Sequence, residues 1–272
     1  MKRKKGVKWT VLTAIPTIII VLPLYFIAIG GFESVTEIFH RPPYLFPPNP
    51  TIAYYIEAYN ALSSYLKNSL IISLGVLVIT LSTSVPAAFV LAKFNLFLRE
   101  PINLLFAFVQ VLPSTAIIIP LYLVFTKLGL INNLLSAILG ISVFLIPFAV
   151  IILRAYLVGI PTGLIEAALI DGAGYFRILR SVVLPLSSPG IACVSILTFL
   201  LAWGNFIVPL AFLKERSLQP MSIGLFLFIG QYGVEWNKLM AGSMIYTIPP
   251  LIIALMAGRL IVAGLTAGAF KE

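Results

Sequence analysis

Six stretches of this chain contain no Asp, Glu, Lys or Arg: Trp9–Phe32, Asn68–Ala92, Pro101–Thr126, Leu128–Leu153, Gly190–Leu213 and Leu239–Gly258. A helix needs about 20 apolar residues to cross the roughly 30 Å of bilayer hydrocarbon, and each stretch reaches that length. Hydrocarbon offers backbone N–H and C=O groups no water, so a crossing segment must be a helix or a paired barrel strand. These runs are too long for barrel strands and do not alternate, so helices are expected. The predicted fold class is an all-α polytopic membrane protein with six transmembrane helices. Composition points the same way: 60% of residues are hydrophobic and only 10% charged, against roughly a quarter charged in an average soluble domain. So few charges cannot coat a water-facing surface. A soluble enzyme, a disordered tail protein and a nucleic-acid-binding domain are disfavoured.

The net charge of +9 looks like a nucleic-acid signal until its distribution is considered. Lys2, Arg3, Lys4, Lys5 and Lys8 all precede the first apolar run, which is too long for a signal-peptide core and lacks a clear cleavage site. It is expected to stay as an anchor. With the N-terminus inside, six basic residues (Arg41, Lys67, Lys127, Lys214, Arg216, Lys238) fall outside, and the other twelve of the 18 fall inside. The positive-inside rule then puts both termini in the cytoplasm of a multi-pass cell-membrane protein. The basic cluster is explained by topology and anionic lipid, with no nucleic acid. The expected organisation is a basic N-terminus (1–8), a first span (9–32), an outer loop (33–67), a five-helix domain (68–265) containing an inner loop (160–189), and a cytoplasmic tail (266–272). Within the outer loop, Tyr54 to Tyr65 is expected to form a short interfacial helix. Residues 214 to 238 form a second outer loop.

The spans carry no Asp, Glu, Lys or Arg, and the single His, His40, lies in the outer loop. Proton- and ion-coupled pumps keep such groups at membrane depth, so a stand-alone secondary transporter is disfavoured. Polar residues at depth are mild: Gln110, Ser114, Thr115, Asn205, Ser243 and Thr247. They either line a hydrated path for a neutral solute or bond between helices. Several spans carry prolines (Pro16, Pro23, Pro86, Pro113, Pro120, Pro147, Pro209, Pro249 and Pro250), which suits a bundle that must open and close. No phosphate-binding glycine loop, metal-ligand cluster or nucleophile–histidine pair is present, and the lone Cys193 sits in an apolar run. No catalytic residue and no metal is expected. Uphill transport would need energy from another subunit.

The inner loop holds most of the functional information. Pro161 and Thr162 are helix-start residues, and Gly172 and Gly174 end that helix. Leu164, Ala167, Ala168 and Ile170 are expected to share an apolar face. A second helix is expected from Tyr175 to Val183, with Phe176, Leu179 and Val183 as its stripe and Pro185 as its stop. Such a helical hairpin, continuous with the fourth and fifth spans, can dock into a groove on a partner. Its pattern is Glu166-Ala167-Ala168, then Gly172, then Val182-x-Leu184-Pro185. It resembles the EAA loop of binding-protein-dependent ABC importer permeases, with Val182 where Ile is more usual. Ala202-Trp203-Gly204-Asn205-Phe206, Gln231-Tyr232-Gly233 with Trp236, Ala241-Gly242-Ser243, Ile248-Pro249 and the Gly264–Ala269 tail extend the likeness. Together they resemble the carbohydrate-uptake branch, and within it the six-helix permease of the maltose-type pair.

That resemblance implies a cytoplasmic coupling helix. Glu166, Ala167, Ala168, Asp171 and Gly172 would sit in a cleft of an ATP-binding subunit. Arg177 and Arg180 would pair either with acidic groups of that subunit or with lipid phosphates. Leu184 and Pro185 would fix the return into the fifth span. Gly204 and Asn205 are candidates for the translocation path or for helix packing. Gln231, Tyr232 and Trp236 would dock a solute-binding protein or anchor the loop at the interface. The implied partners are a second permease, two ATP-binding subunits that carry the ATP and Mg²⁺, an extracellular or periplasmic solute-binding protein, and membrane lipid. The implied cargo is a sugar, a di- or oligosaccharide. Glycerol phosphate would call for bases along the path and a polyamine for acids, and the spans hold neither.

Overall fold

The computed structural model describes the backbone of residues 7–269 and the side chains of residues 14 and 16–256. The cluster Lys2, Arg3, Lys4 and Lys5 and the side chains of the 266–272 tail lie outside the described residues. In chain order the helices are α1 (Val7–Gly30), α2 (Val35–Ile38), α3 (Ala53–Lys93), α4 (Arg99–Val111), α5 (Ser114–Lys127), α6 (Leu134–Val158), α7 (Gly163–Ile170), α8 (Tyr175–Ile178), α9 (Leu184–Leu186), α10 (Ser188–Trp203), α11 (Ile207–Phe212), α12 (Met221–Gly224) and α13 (Trp236–Ala269). Leu179–Val183 is a π-helical turn joining α8 to α9. Ile229–Gly230 (β1) and Gly233–Val234 (β2) form a small antiparallel ribbon. The chain divides into two compact units, Met1–Ser63 with Gly224–Ile248, and Ser64–Ile223 with Pro249–Glu272.

Among the described residues, α3, α6 and the Trp236–Met256 part of α13 are each long and apolar enough to cross a membrane. Two bent pairs bring the number to five. The predicted third span, Pro101–Thr126, is one of them: α4 and α5 meet at 103°. Pro113 has no N–H and forces Leu112 into an extended conformation (ψ 133°), so the helix stops and restarts. The predicted fifth span, Gly190–Leu213, also differs. Its long helix ends at Trp203, a separate six-residue α11 follows, and its N-terminal side bends by 81° at Ser187. The outer loop is shorter than expected. Tyr54 to Tyr65 is no separate interfacial helix but the first turns of the 41-residue α3. Ahead of Ala53 the segment holds only the four-residue α2, and α3 runs unbroken from Ala53 through Pro86 to Lys93.

In the larger unit α6 is the central element. Its N-cap Asn133 accepts a hydrogen bond from the Leu135 N–H, and twelve of its residues are buried. Between helices in lipid the hydrophobic driving force is small, so close packing on small residues carries the association. Gly75 lies against Ile138, and Gly140 against Phe212 and Val208, so closely that a Cβ at either glycine would fall 2.6–2.9 Å from those side chains. One apolar cluster gathers Ile72 and Val76 of α3, Ile138 and Ile141 of α6, and Val208 and Phe212 of α11. A second gathers Ala88 and Leu91 of α3, Val150 and Leu153 of α6, and Val194 of α10.

In the smaller unit, Gly31 lets the Tyr55 ring lie against the end of α1, where its hydroxyl donates to the Ala28 carbonyl at 2.7 Å. Gly242 of α13 meets Leu62, Leu225 and Phe228 in the same way. Lys238 closes ion pairs with Glu57 (3.0 Å) and Glu235 (2.6 Å).

Candidate functional site: an exposed helical hairpin

The segment between α6 and α10 is a helical hairpin held by a few buried side chains. Ile165 of α7 and Ile178 of α8 are both buried in the same cluster as Leu153, Leu157 and Val183. Ala168 and Ala173 pack partly against it. Two contacts tie the hairpin to the end of α3. Lys93 Nζ donates to the Ile160 carbonyl, and the Phe94 and Tyr175 rings meet edge-on at 5.0 Å. The rest of the hairpin faces outward. Glu166, Ala167, Asp171, Gly172 and Arg177 are exposed, as are Ile170 (86%) and Phe176 (78%).

The turn has a defined cause. α7 ends in a Schellman motif: the Gly172 N–H donates to the Leu169 carbonyl at 3.0 Å, and the Ala173 N–H to the Ala168 carbonyl at 2.9 Å. Gly172 takes φ +78° to close it. A Cβ at Gly172 would meet nothing within 4 Å, so the glycine is required by backbone conformation and not by crowding.

The apolar faces differ from those expected from the sequence. Leu164 and Ile170 are exposed, and the buried contact of α7 is Ile165 with Ala168 behind it. On the second arm Phe176 is exposed, and Ile178 and Val183 carry the burial. Pro185 does not stop the second helix, which continues through a π turn to Leu186. Pro185 lacks an N–H and its ring crowds the preceding turn, and a widened π turn relieves both. The real break is at Ser187, whose hydroxyl donates to the Val183 carbonyl at 2.6 Å. Beyond it Gly190 lies against the Tyr156 ring, where a Cβ would stand 2.7 Å from the nearest ring atom. Leu184 and Pro185 lie in the short α9, between the π turn and the break at Ser187.

Gly204 and Asn205 lie at the end of α10, not within a continuous span. Gly204 is exposed and closes the helix, and Asn205 Oδ1 accepts from the Val208 N–H at 3.2 Å as α11 begins. The Asn205 carbonyl also accepts from Ser222 Oγ at 3.1 Å. Trp203 beside them is buried and stacked on Phe199 at 5.6 Å.

In the smaller unit, Gln231 and Tyr232 form the tip of the β1–β2 ribbon, and Tyr232 is 98% exposed. Trp236 is separate from that tip. It starts α13 and meets the Phe39 ring edge-on at 6.0 Å. The nearby 33–49 segment has its own order. Ser34 and Glu37 form a capping box on α2, and Asn49 Nδ2 donates to Glu37 Oε1 at 3.2 Å. The Ser34 N–H and hydroxyl beside Glu37, joined by Asn49, hold its carboxyl below the usual range. Burial, and then the charge of Glu37, push Glu33 above it.

One device of the larger unit carries no motif in the sequence. Asn132 takes φ +62°. Its Oδ1 accepts from the Lys214 and Glu215 N–H groups (3.1 and 3.0 Å), and its Nδ2 donates to Glu215. Asn68 Nδ2 donates to the carbonyls of Ser217 (2.7 Å) and Gln219 (3.1 Å), while Ser69 Oγ accepts from the Met221 N–H (2.7 Å). These side chains fix the connection after α11. The only signal in the sequence was Asn132-Asn133 between two apolar runs.

The family described as binding-protein-dependent transport system inner membrane component matches residues 84–267. The chain is 31% identical over 251 residues to the sulfoquinovosyl glycerol transport system permease of Agrobacterium fabrum, covering 92% of this chain and 88% of that one. It is 30% identical to a diacetylchitobiose uptake system permease of Streptomyces coelicolor over the full length of both. It is 34% identical to the trehalose/maltose transport system permease of Thermococcus litoralis over 76% of this chain and 75% of that one. Its fold resembles a chain of a bacterial ABC transporter involved in import of the acidic polysaccharide alginate, with TM-score 0.78 and 22% identity, covering 93% and 95% of the two chains. An exposed helical hairpin between two apolar helices, a helical membrane fold and these relatives agree: the chain belongs to the family of binding-protein-dependent transport system inner membrane components, and it is a multi-pass membrane protein.

Proposed function

We propose that this chain is one permease subunit of an ATP-driven importer for a di- or oligosaccharide, crossing the membrane six times with both termini in the cytoplasm. It pairs with a second, related permease. Two ATP-binding subunits hold the ATP and Mg²⁺, and an extracellular or periplasmic binding protein delivers the sugar. The family's description supports the binding protein, and the cargoes in the relatives' names support a sugar.

The observation that carries this reading is the division of the 160–189 hairpin into a buried root and an exposed crest. Ile165 and Ile178 are seated in the core formed by α3, α6 and α10. Glu166, Ala167, Asp171, Gly172 and Arg177 face outward with Ile170 and Phe176. A crest of mixed apolar and charged groups fits a cleft on a protein partner. A force applied there is transmitted through the root to α6 and α10. Nucleotide on the partner subunits and the docked binding protein bias the equilibrium between inward-open and outward-open states.

The helix break at Gly204 and Asn205 falls inside the charge-free run Gly190–Leu213, and membrane proteins tolerate non-helical backbone in a span where it lines a cavity. That supports a place on the sugar path. The exposed Gln231–Tyr232 tip supports binding-protein docking. The test is the reconstituted complex: Glu166→Lys and Gly172→Trp uncouple ATP hydrolysis from uptake. Intact coupling in both variants defeats the assignment of the hairpin.

A further inference from the structure

The two apolar clusters of the larger unit divide at one level, and three helical runs are interrupted or weakened there. On α6 one cluster takes Ile138, Ile141 and Leu145, the other takes Ala149, Val150 and Leu153, and Pro147 lies between them. Pro147 lacks an N–H, so the Val143 carbonyl has no helical donor. The α4–α5 run breaks at Leu112–Pro113, and just before the break Gln110 Nε2 donates to the Phe144 carbonyl at 3.0 Å. The α10–α11 run breaks at Gly204–Asn205. Gly190 lies against Tyr156, and Val208 against Gly140, so this run is antiparallel to α6 and Asn205 comes level with Val143 and Phe144. Two hydroxyls mark the same boundary. Thr80 of α3 stands between Ile79, packed on one cluster, and Leu81, packed on the other. Thr198 of α10 stands likewise between Val194 and Ala202. Both threonines are fully buried, and neither hydroxyl has a hydrogen-bond partner among the described residues.

We infer that this level is a hinge, about which the block of α5, α11 and the start of α6 turns against the block of α4, α10 and the 160–189 hairpin. Each block is held within itself. In the first, the Phe125 and Phe212 rings meet at 5.3 Å, and the Asn132 N–H donates to the Phe212 carbonyl at 2.9 Å. In the second, Ile165 and Ile178 of the hairpin share a core with Leu153 and Val194. Packed blocks joined at helix ends move about those ends, because a few terminal residues absorb the change in φ and ψ. A helix that lacks a bond at proline bends at the same place. The unpaired Thr80 and Thr198 hydroxyls cost free energy in the present arrangement. A small turn that brings each an acceptor offsets that cost, so a second arrangement lies close in energy. The use of this hinge in import rests on the permease reading above; the hinge itself is a property of the chain.

The test measures spin-label distances in the complete transporter complex in nanodiscs, on a Cys193→Ser background. Exposed leucines carry the labels. Leu123→Cys with Leu186→Cys spans the level, whereas Leu123→Cys with Leu135→Cys and Leu104→Cys with Leu186→Cys each stay within one block. The spanning distance is broadly distributed without nucleotide and shifts on trapping with ATP and vanadate, while both within-block distances stay narrow and fixed. Pro113→Ala with Gly204→Ala favours helix at both breaks, so it narrows the spanning distance and suppresses the shift. A Cβ at Gly204 meets only the Leu200 carbonyl at 3.5 Å, so that change fits. Thr198→Val removes one unpaired hydroxyl at nearly constant volume and enlarges the population seen without nucleotide. A spanning distance as narrow as the within-block ones in every state overturns the inference, and so does an equal shift inside either block. A spanning distance that is broad but unmoved by ATP and vanadate counts against the permease reading and not against the hinge.

Discussion

The Ala173 N–H donates to the Ala168 carbonyl across the turn of the 160–189 hairpin, and that 2.9 Å bond exists only because Gly172 between them sits at φ +78°. The crest of the hairpin is thus set by one backbone conformation. An alanine at 172 meets no atom but must adopt a left-handed conformation that costs roughly 1–2 kcal/mol. Gly172→Ala should therefore loosen the turn and speed amide exchange at Gly172 and Ala173 without reducing the amount of folded protein in the membrane. Gly172→Asn should be milder, because Asn tolerates that region. Equal exchange in the two variants would contradict a conformational cause.

The bend at Ser187 brings Gly190 against Tyr156, and here the limit is space. Gly190→Val should destabilise the protein by about 1–3 kcal/mol through overpacking. Tyr156→Leu in the same chain should recover part of that loss. A double-mutant cycle on thermal unfolding in detergent measures the coupling. Additive effects would mean that α10 and α6 do not meet at these residues.

Asn132 has two separable tasks. Asn132→Gly keeps the positive φ but leaves the Lys214 and Glu215 N–H groups without their acceptor. Asn132→Ala loses both features. Each lost hydrogen bond is worth about 1 kcal/mol, so exchange over residues 213–219 should rise in Asn132→Gly and rise further in Asn132→Ala. The hairpin 160–189 should be unaffected in both.

Glu37 and Glu33 should titrate in opposite directions. Glu37 is held down by the Ser34 donors and Asn49. Its contribution to the α2 segment is therefore complete above the unfolded carboxylate value of about 4.3 and is lost as pH falls through the lower folded value. Glu33 is raised by burial and by Glu37. It favours the fold when protonated, and that benefit fades as pH rises from the unfolded value through the folded one. Carboxyl ¹³C titration checks both, with Glu37→Gln and Glu33→Gln assigning the signals. Glu37→Gln should also move Glu33 back toward its ordinary value, and no movement would show that the two charges do not interact.

The charge-free runs determined the class of this protein. Backbone groups in hydrocarbon have only one another to bond, so long apolar segments become helices whatever surrounds them. The Glu166–Pro185 spacing and the glycine at 172 were equally legible, because a helix end and a left-handed turn are local requirements. Other features depended on contacts distant in sequence. Ile165 and Ile178 could not be told from Leu164 and Phe176 by periodicity, since all four are apolar and only the core at Leu153 and Val183 decides which are covered. The breaks at Leu112–Pro113 and Ser187 were hidden inside runs that read as unbroken. A proline in a span either bends a helix or ends it, and the packing of neighbouring helices chooses between them. The roles of Asn132, Asn68 and Ser69 could not be read for the same reason: a polar side chain becomes a strut only when the fold carries an unpaired backbone group to it.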